Sequence, residues 1–295
     1  MRTISKLPNH ILSEQSLIFT TYFSSKEDPQ RGGRVAKEAI DYIAPWYNSI
    51  VRLKLLGVVL HDGLSEEFIN RYSNSYISFV ECSLGEMSLN DERFVLYTMV
   101  LRQLPRLEYV LFTDGNDVIF QHDPFSFMID NSKYELFVGR NQGARIRHSK
   151  VMMRNVKNFF SLLGIPYDKG YIHSPSYNAG ILGGRLTNVM PFLERLNSFL
   201  LRCSKGNNNM HCFNYCLYLK KGVKYRFSLF FNYRIYLYVY KWLVRVGIKR
   251  KGNVLKEVSS RNDKIGKSNS VFTSYPFCSD FKKFETDSEI YILHK

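Results

Sequence analysis

Five cysteines in 295 residues, an odd number scattered along the chain and without a CxxC pair, leave no framework for a disulfide-stapled fold. They fit the reduced thiols of a cytoplasmic protein. The amino-terminal MRTISKLPNHILSEQ lacks the apolar core of a secretory signal. A membrane span needs a run of about 18 uncharged apolar residues, and none occurs. The expectation is a cytoplasmic chain, peripheral at most on the inner face of the membrane. Disorder is excluded too, because 45% hydrophobic and 15% aromatic residues can bury a sizeable core, enough for one large globular domain with a C-terminal appendage. Acidic residues are missing from one place in particular. Between Lys220 and Lys256 there are eleven Lys and Arg and no acid, so the remaining 30 cations face 26 acids. The formal net charge of +15 thus belongs mainly to one segment and reports a local partner surface.

Along the first 140 residues strand and helix signals alternate. SLIFTTYF (16–23) reads as a buried strand, and 35–51 has helical spacing with Pro45 as a break. RLKLLGVVLHDG holds a second strand closed by Asp62-Gly63, SEEFINRYSN a short helix capped by Ser65, and YISFVE a third strand. NDERFVLYTMVLRQL opens on a capping residue and continues at helical spacing, YVLFTD is a fourth strand and ELFVGRN a fifth. Short strands between helices predict an α/β fold whose mostly parallel sheet is covered on both faces. The later half predicts helices over 149–164, 186–204 and 210–222. YIHSPSYNAGILGGRL predicts tight turns beside a short strand, KIGKSNSVFTSYP a loop or hairpin, and EIYILHK a last strand.

The stretch YVLFTDGNDVIFQHDPF (109–125) ends a hydrophobic strand with two carboxylates, Asp114 and Asp117. Asp, Gly and Asn are ordinary turn residues, so a surface turn is one reading. The other follows from position, because ligands of open α/β sheets bind beyond the carboxyl ends of the strands. Two acids held close need a shared proton or a cation, and hard ions such as Mn²⁺ or Mg²⁺ take oxygen ligands while leaving positions for phosphate oxygens.

LEYVLFTDGNDVIFQHDPF resembles the metal-binding strand end of GT-A glycosyltransferases, with a spacing like that of the glycosyltransferase domains of collagen lysyl hydroxylases and related bacterial enzymes. YNAGILGG (177–184) is similar to the sugar-contacting segment of glycogenin-like enzymes, and the terminal YILHK resembles their late metal histidine with a nearby lysine. The resemblance spans nearly the whole chain and implies a GT-A, Rossmann-like fold. It implies Asp114, Asp117 and His294 as metal contacts, with Asp114 also counted at the donor. Thr20, Thr21 and Tyr22 would line a uridine pocket, Asn178 and Gly180 face the donor sugar, Lys295 reach a phosphate and Arg93 stand near the donor. Where relatives carry an acidic or amide group, NNNMHCFNYC offers Asn209, His211 and Asn214 but no carboxylate, which leaves the assisting group open; the candidate catalytic groups are Asn178, Asn209 and His211. His211 with Cys212 and Cys216 provides only three donors on one helix face, too few for zinc.

The resemblance implies transfer from a nucleotide sugar, a UDP-sugar, to a glycan or lipid-linked acceptor in bacterial surface-polysaccharide assembly (lipopolysaccharide, O-antigen or capsule), with retention of configuration. Three regions are expected: a catalytic core over 1–222, a basic aromatic helical segment over 223–256, and a 257–295 tail returning to the site. On a helix, Arg234, Lys241, Arg245 and Lys249 form a basic face beside Leu237, Trp242 and Val244, which suits an anionic membrane surface. Two alternatives stand. A nucleotidyltransferase would want a Gly-rich basic loop after the first strand, and Arg31-Gly32-Gly33-Arg34 comes too late. A nucleic-acid-binding protein would use the basic segment but leaves Asp114, Asp117 and YNAGILGG unexplained, so no nucleic-acid partner is expected.

Overall fold

The computed structural model describes residues 2–30, 32–221, 271–272, 277, 279–280 and 289–294. The basic segment 223–256 and Lys295 lie outside the described residues. Eight strands form one sheet: Thr3–Ile4 (β1), Ser16–Tyr22 (β2), Gly57–His61 (β3), Ile77–Ser83 (β4), Tyr109–Thr113 (β5), Leu136–Arg145 (β7), Pro175–Arg185 (β8) and Val271–Phe272 (β9), in the order β1-β4-β3-β2-β5-β8-β7-β9. A second, three-stranded sheet joins Val118–Phe120 (β6), Ser279–Asp280 (β10) and Ile292–His294 (β11). The helices are Asn9–Leu12 (α1), Ala44–Arg52 (α2), Glu66–Tyr72 (α3), Leu89–Leu101 (α4), Pro124–Asp130 (α5), Lys150–Leu162 (α6), Lys169–Ile172 (α7), Leu186–Arg202 (α8) and Asn209–Lys221 (α9). Among the described residues, no helix is long and apolar enough to cross a membrane.

The β4-β3-β2-β5 block is parallel, as expected from its βα repeats. Its strands are buried on both faces, which is why they read as continuous apolar runs. Leu17 and Phe19 of β2 face one core with Phe94 and Tyr97 of α4, Phe159 of α6 and Leu193 of α8. Ile18, between them, faces the other with Trp46 and Ile50 of α2 and Phe68 of α3. Ser65 caps α3 as expected, accepting from Phe68 N at 3.2 Å.

Three expectations change. Pro45 does not break a helix but starts one, at the first turn of α2, where its missing N–H costs nothing. α4 is capped by Ser88, which accepts from Asp91 N, rather than by Asn90. YNAGILGG is not a set of turns. It is the middle of β8, eleven residues long and antiparallel to both β5 and β7. Its glycines serve close packing: a Cβ on Gly183 would meet Leu111 Cδ1 at 2.8 Å and Val110 O at 3.0 Å. In the 264–276 stretch, Val271 and Phe272 add a parallel strand beside β7.

His211 is also placed differently. It is buried in the α6–α9 core, stacked on Phe159 at 4.9 Å and hydrogen-bonded to Met152 and Tyr171, apart from Asp114, Asp117 and His294. Its Nε2 is 3.0 Å from Met152 O and must donate, so Nδ1 accepts from Tyr171 Oη at 3.1 Å. That network holds a neutral ring, and burial lowers its pKa to about 4 despite the Met152 hydrogen bond. The folded pKa lies below the unfolded one, so His211 supports the fold above about pH 6.5 and loses that support as pH falls toward 4, by roughly 3 kcal/mol. Denaturant titrations across this window should show acid destabilisation that flattens in His211→Gln; an unchanged slope would contradict the core assignment.

Candidate metal centre

β5 ends at Thr113, and the ladder with β8 fixes what comes next. Thr113 is opposite Ile181, and Asp114 N donates to Gly180 O at 2.8 Å. The Trp46 indole, wholly buried, donates to Thr113 Oγ1 at 2.9 Å and ties α2 to the same strand end. Asp117 closes the four-residue loop 114–117 that leads into β6, and β11 pairs antiparallel with β6 so that His294 stands opposite Val118. Residues 180 positions apart in the chain thereby meet. One ligand atom each from Asp114, Asp117 and His294 lies within 4.8 Å of the others, and His294 Nε2 is 3.6 Å from Asp114 and 3.5 Å from Asp117.

The carboxylates are not left to repel each other. Arg93 of α4 forms an ion pair with Asp114 and also donates to Ala179 O at 3.3 Å. Burial raises the Asp114 pKa, but Arg93 and then His294 outweigh it and hold the carboxyl well below its ordinary range. Asp114 is therefore ionised at any physiological pH.

The shell around the cluster is equally defined. Asn178 Oδ1 accepts from Gly180 N at 2.7 Å, which turns its Nδ2 toward His294 Nδ1 at 3.2 Å. With Nδ1 facing the Asn178 amide, a proton on this ring sits on Nε2, between the two acids, where a cation would take its place. Gly180 has to be glycine: a Cβ would overlap the Asp114 carboxylate, with Cγ at 2.8 Å, and Asn178 Oδ1 at 3.1 Å. Two carboxylate oxygens and an imidazole nitrogen, at the carboxyl end of β5, fit a Mn²⁺- or Mg²⁺-type ion that keeps positions for other oxygens.

Other predicted residues fall nearby or apart. Thr20 is buried, its Oγ1 without a hydrogen-bond partner among the described residues and pressed against Gly115, where a Cβ would sit 2.8 Å away. Thr21 hydrogen-bonds Tyr97. Tyr22 is wholly buried; its hydroxyl donates to Ala36 O at 2.6 Å and accepts from Ala39 N at 2.9 Å, fastening a loop rather than lining a pocket. Asn209, also buried, donates to Asn90 O at 3.3 Å, at the start of α9. Gly32 N donates to Asp28 O at 2.9 Å and Gly33 O accepts from Asp28 N at 2.8 Å, so the Gly32 amide is committed within its own turn.

Two features had not been read from the sequence. Asp91, buried, receives Asn208 N at 3.2 and 3.1 Å and so caps α9 from another helix; burial raises its pKa to about 6 against these hydrogen bonds. Arg145, Arg147 and His148 gather beyond β7, and the absence of any acid from 136 to 167 was the available signal.

No family model and no curated protein matches this chain. Among solved structures it is similar to the galactosyltransferase LgtC, solved in complex with donor and acceptor sugar analogs, at 11% identity and a TM-score of 0.40, covering 68% of this chain and 69% of that one. At that distance the functional reading rests on the side chains described above. Because Asn178 orients His294 while also accepting from Gly180 N, Asn178→Ala should weaken Mn²⁺ binding by about 10- to 100-fold. Calorimetric titration checks this, and unaltered affinity would contradict the role.

Proposed function

We propose that this protein is a metal-dependent glycosyltransferase that moves a sugar from a nucleotide sugar, a UDP-sugar, to a glycan or lipid-linked acceptor in bacterial surface-polysaccharide assembly. The observation that carries the reading is the convergence of Asp114, Asp117 and His294 at the carboxyl edge of the sheet, beside Asn178 and Gly180 of β8. An ion bound there supplies positive charge against the negative charge that develops on a leaving diphosphate.

The chain's own groups do the positioning. Arg93 keeps Asp114 ionised and fixed, and its hold on Ala179 O ties α4 to the strand that carries Asn178. Gly180 lets that strand approach the carboxylate without a side chain between. Asn178 holds the His294 ring by its far nitrogen. Thr20 and Thr21 lie just before β2 ends at Tyr22, on the same sheet edge, which suits them to a nucleoside. Rigid placement of donor and acceptor then supplies most of the rate.

Retention of configuration, the 1–222, 223–256 and 257–295 division, a diphosphate role for Lys295, a cytoplasmic location and contact of the basic segment with an anionic membrane belong to the same proposal. They are supported by the resemblance of the motifs and by the basic and aromatic composition of 223–256. The committed Gly32 amide speaks against a nucleotidyltransferase. The test is hydrolysis of a panel of UDP-, GDP- and CDP-sugars with and without Mn²⁺. One donor should turn over only with metal, and Asp117→Ala should lower that rate by about a hundredfold or more. Folded wild-type protein that is inert towards every donor, with or without metal, would reject the proposal.

A further inference from the structure

Outside two segments the chain carries almost no net charge. Of its 41 Lys and Arg, six lie in 136–167 and eleven in 220–256, neither stretch holding an acid, and the remaining 24 face 26 acids. The formal net charge of +15 is thus confined to these two places. The first contains α6, whose 13 residues have two unlike sides. Met152, Val156, Phe159 and Phe160 are buried against the core. Lys150, Arg154 and Lys157, all exposed, recur at i, i+4 and i+7 and form one row along the outer side, about 10 Å long. Val151, beside that row, is 71% exposed, more than any other large apolar side chain among the described residues.

Taken alone, this face destabilises its own helix. Like charges three and four residues apart repel, and among the described residues no carboxylate pairs with Lys150, Arg154 or Lys157. The first turn of α6 has no acid to complement the helix dipole and opens on Lys150 instead. Val151 leaves apolar surface in water. Local rules broken together on one face mark a functional surface, and an anionic partner with an apolar layer beneath its charges reverses all three effects. The buried side holds the row in place, with Phe159 stacked on His211 at 4.9 Å and Phe160 edge-on to Tyr215 at 5.5 Å. Headgroup phosphates above acyl chains meet both the cations and Val151. A nucleic acid would be held by stacking as well, and none of the exposed residues of α6 is aromatic.

We infer that the outer face of α6 docks on an anionic phospholipid membrane, with Lys150, Arg154 and Lys157 at the headgroup phosphates and Val151 entering the interface. This face is separate from the basic 223–256 segment. α6 starts one 3-10 turn after β7, so docking by it holds the carboxyl end of that strand at the membrane. That this serves a lipid-linked acceptor rests on the glycosyltransferase reading; the docking itself does not, and its test uses neither donor nor metal. The test is sedimentation of the full chain with phosphatidylglycerol and with phosphatidylcholine vesicles over a range of salt. Binding should be confined to phosphatidylglycerol, and the Lys150→Gln, Arg154→Gln, Lys157→Gln triple variant should bind about a hundredfold more weakly, with a shallower salt dependence. Because 223–256 carries cations of its own, Val151→Trp reports on α6 directly: brominated phosphatidylglycerol should quench its emission beyond the quenching of the unsubstituted chain. Unaltered vesicle affinity in the triple variant, or no added quenching in vesicle-bound Val151→Trp, would assign the contact to 223–256 alone and overturn the inference. So would a chain that binds no vesicles, whether it binds nothing else or binds duplex DNA or RNA in a manner lost in the triple variant.

Discussion

A buried carboxylate between a guanidinium and an imidazole is the contact on which the rest of this site depends. Asp114 could not remain ionised at the end of an apolar strand without Arg93 on one side and His294 on the other. Each partner comes from a different part of the chain. Arg93 requires α4 to lie along the sheet, which Phe94 and Tyr97 secure by packing on Phe213 and Phe112. His294 requires the last residues to return and pair with β6. Removing either partner would leave a desolvated charge, so the electrostatics of one side chain constrains helix, sheet and terminus together.

The same logic explains why β8 is antiparallel and rich in glycine. A parallel neighbour of β5 would need a crossover, whereas β8 arrives from α7 and runs back toward the base of the sheet. That direction presents Asn178 and Gly180 beside Asp114, and the lack of a side chain at Gly180 lets the two strands close on the carboxylate. Glycine here is a spacing device. The antiparallel direction also sets Gly139 of β7 opposite Asn178.

Much of this was legible in the sequence, for identifiable reasons. Strands buried on both faces are apolar without interruption, so β2 to β5 and the parallel block followed from pattern alone. Ser65 announced a helix because its cap is local. The pairing of Asp114 with Asp117 was visible from spacing, and His294 entered through the resemblance of YILHK. What pattern could not supply was which face of an element a polar residue takes. Tyr22 and His211 are chemically suited to a site, yet one fastens a loop and the other is locked in the α6–α9 core. YNAGILGG read as turns because glycine-rich segments usually are, and only the close approach of Leu111 and Asp114 shows why a strand would need them.

The central claim is that Asp114, Asp117 and His294 are one ion site. The most direct test is an anomalous-difference map from crystals grown with Mn²⁺. The account predicts a single strong peak bounded by a carboxylate oxygen of each aspartate and a ring nitrogen of His294, with Arg93 still on Asp114. A peak elsewhere, or none in crystals where these three side chains are well ordered, would contradict it.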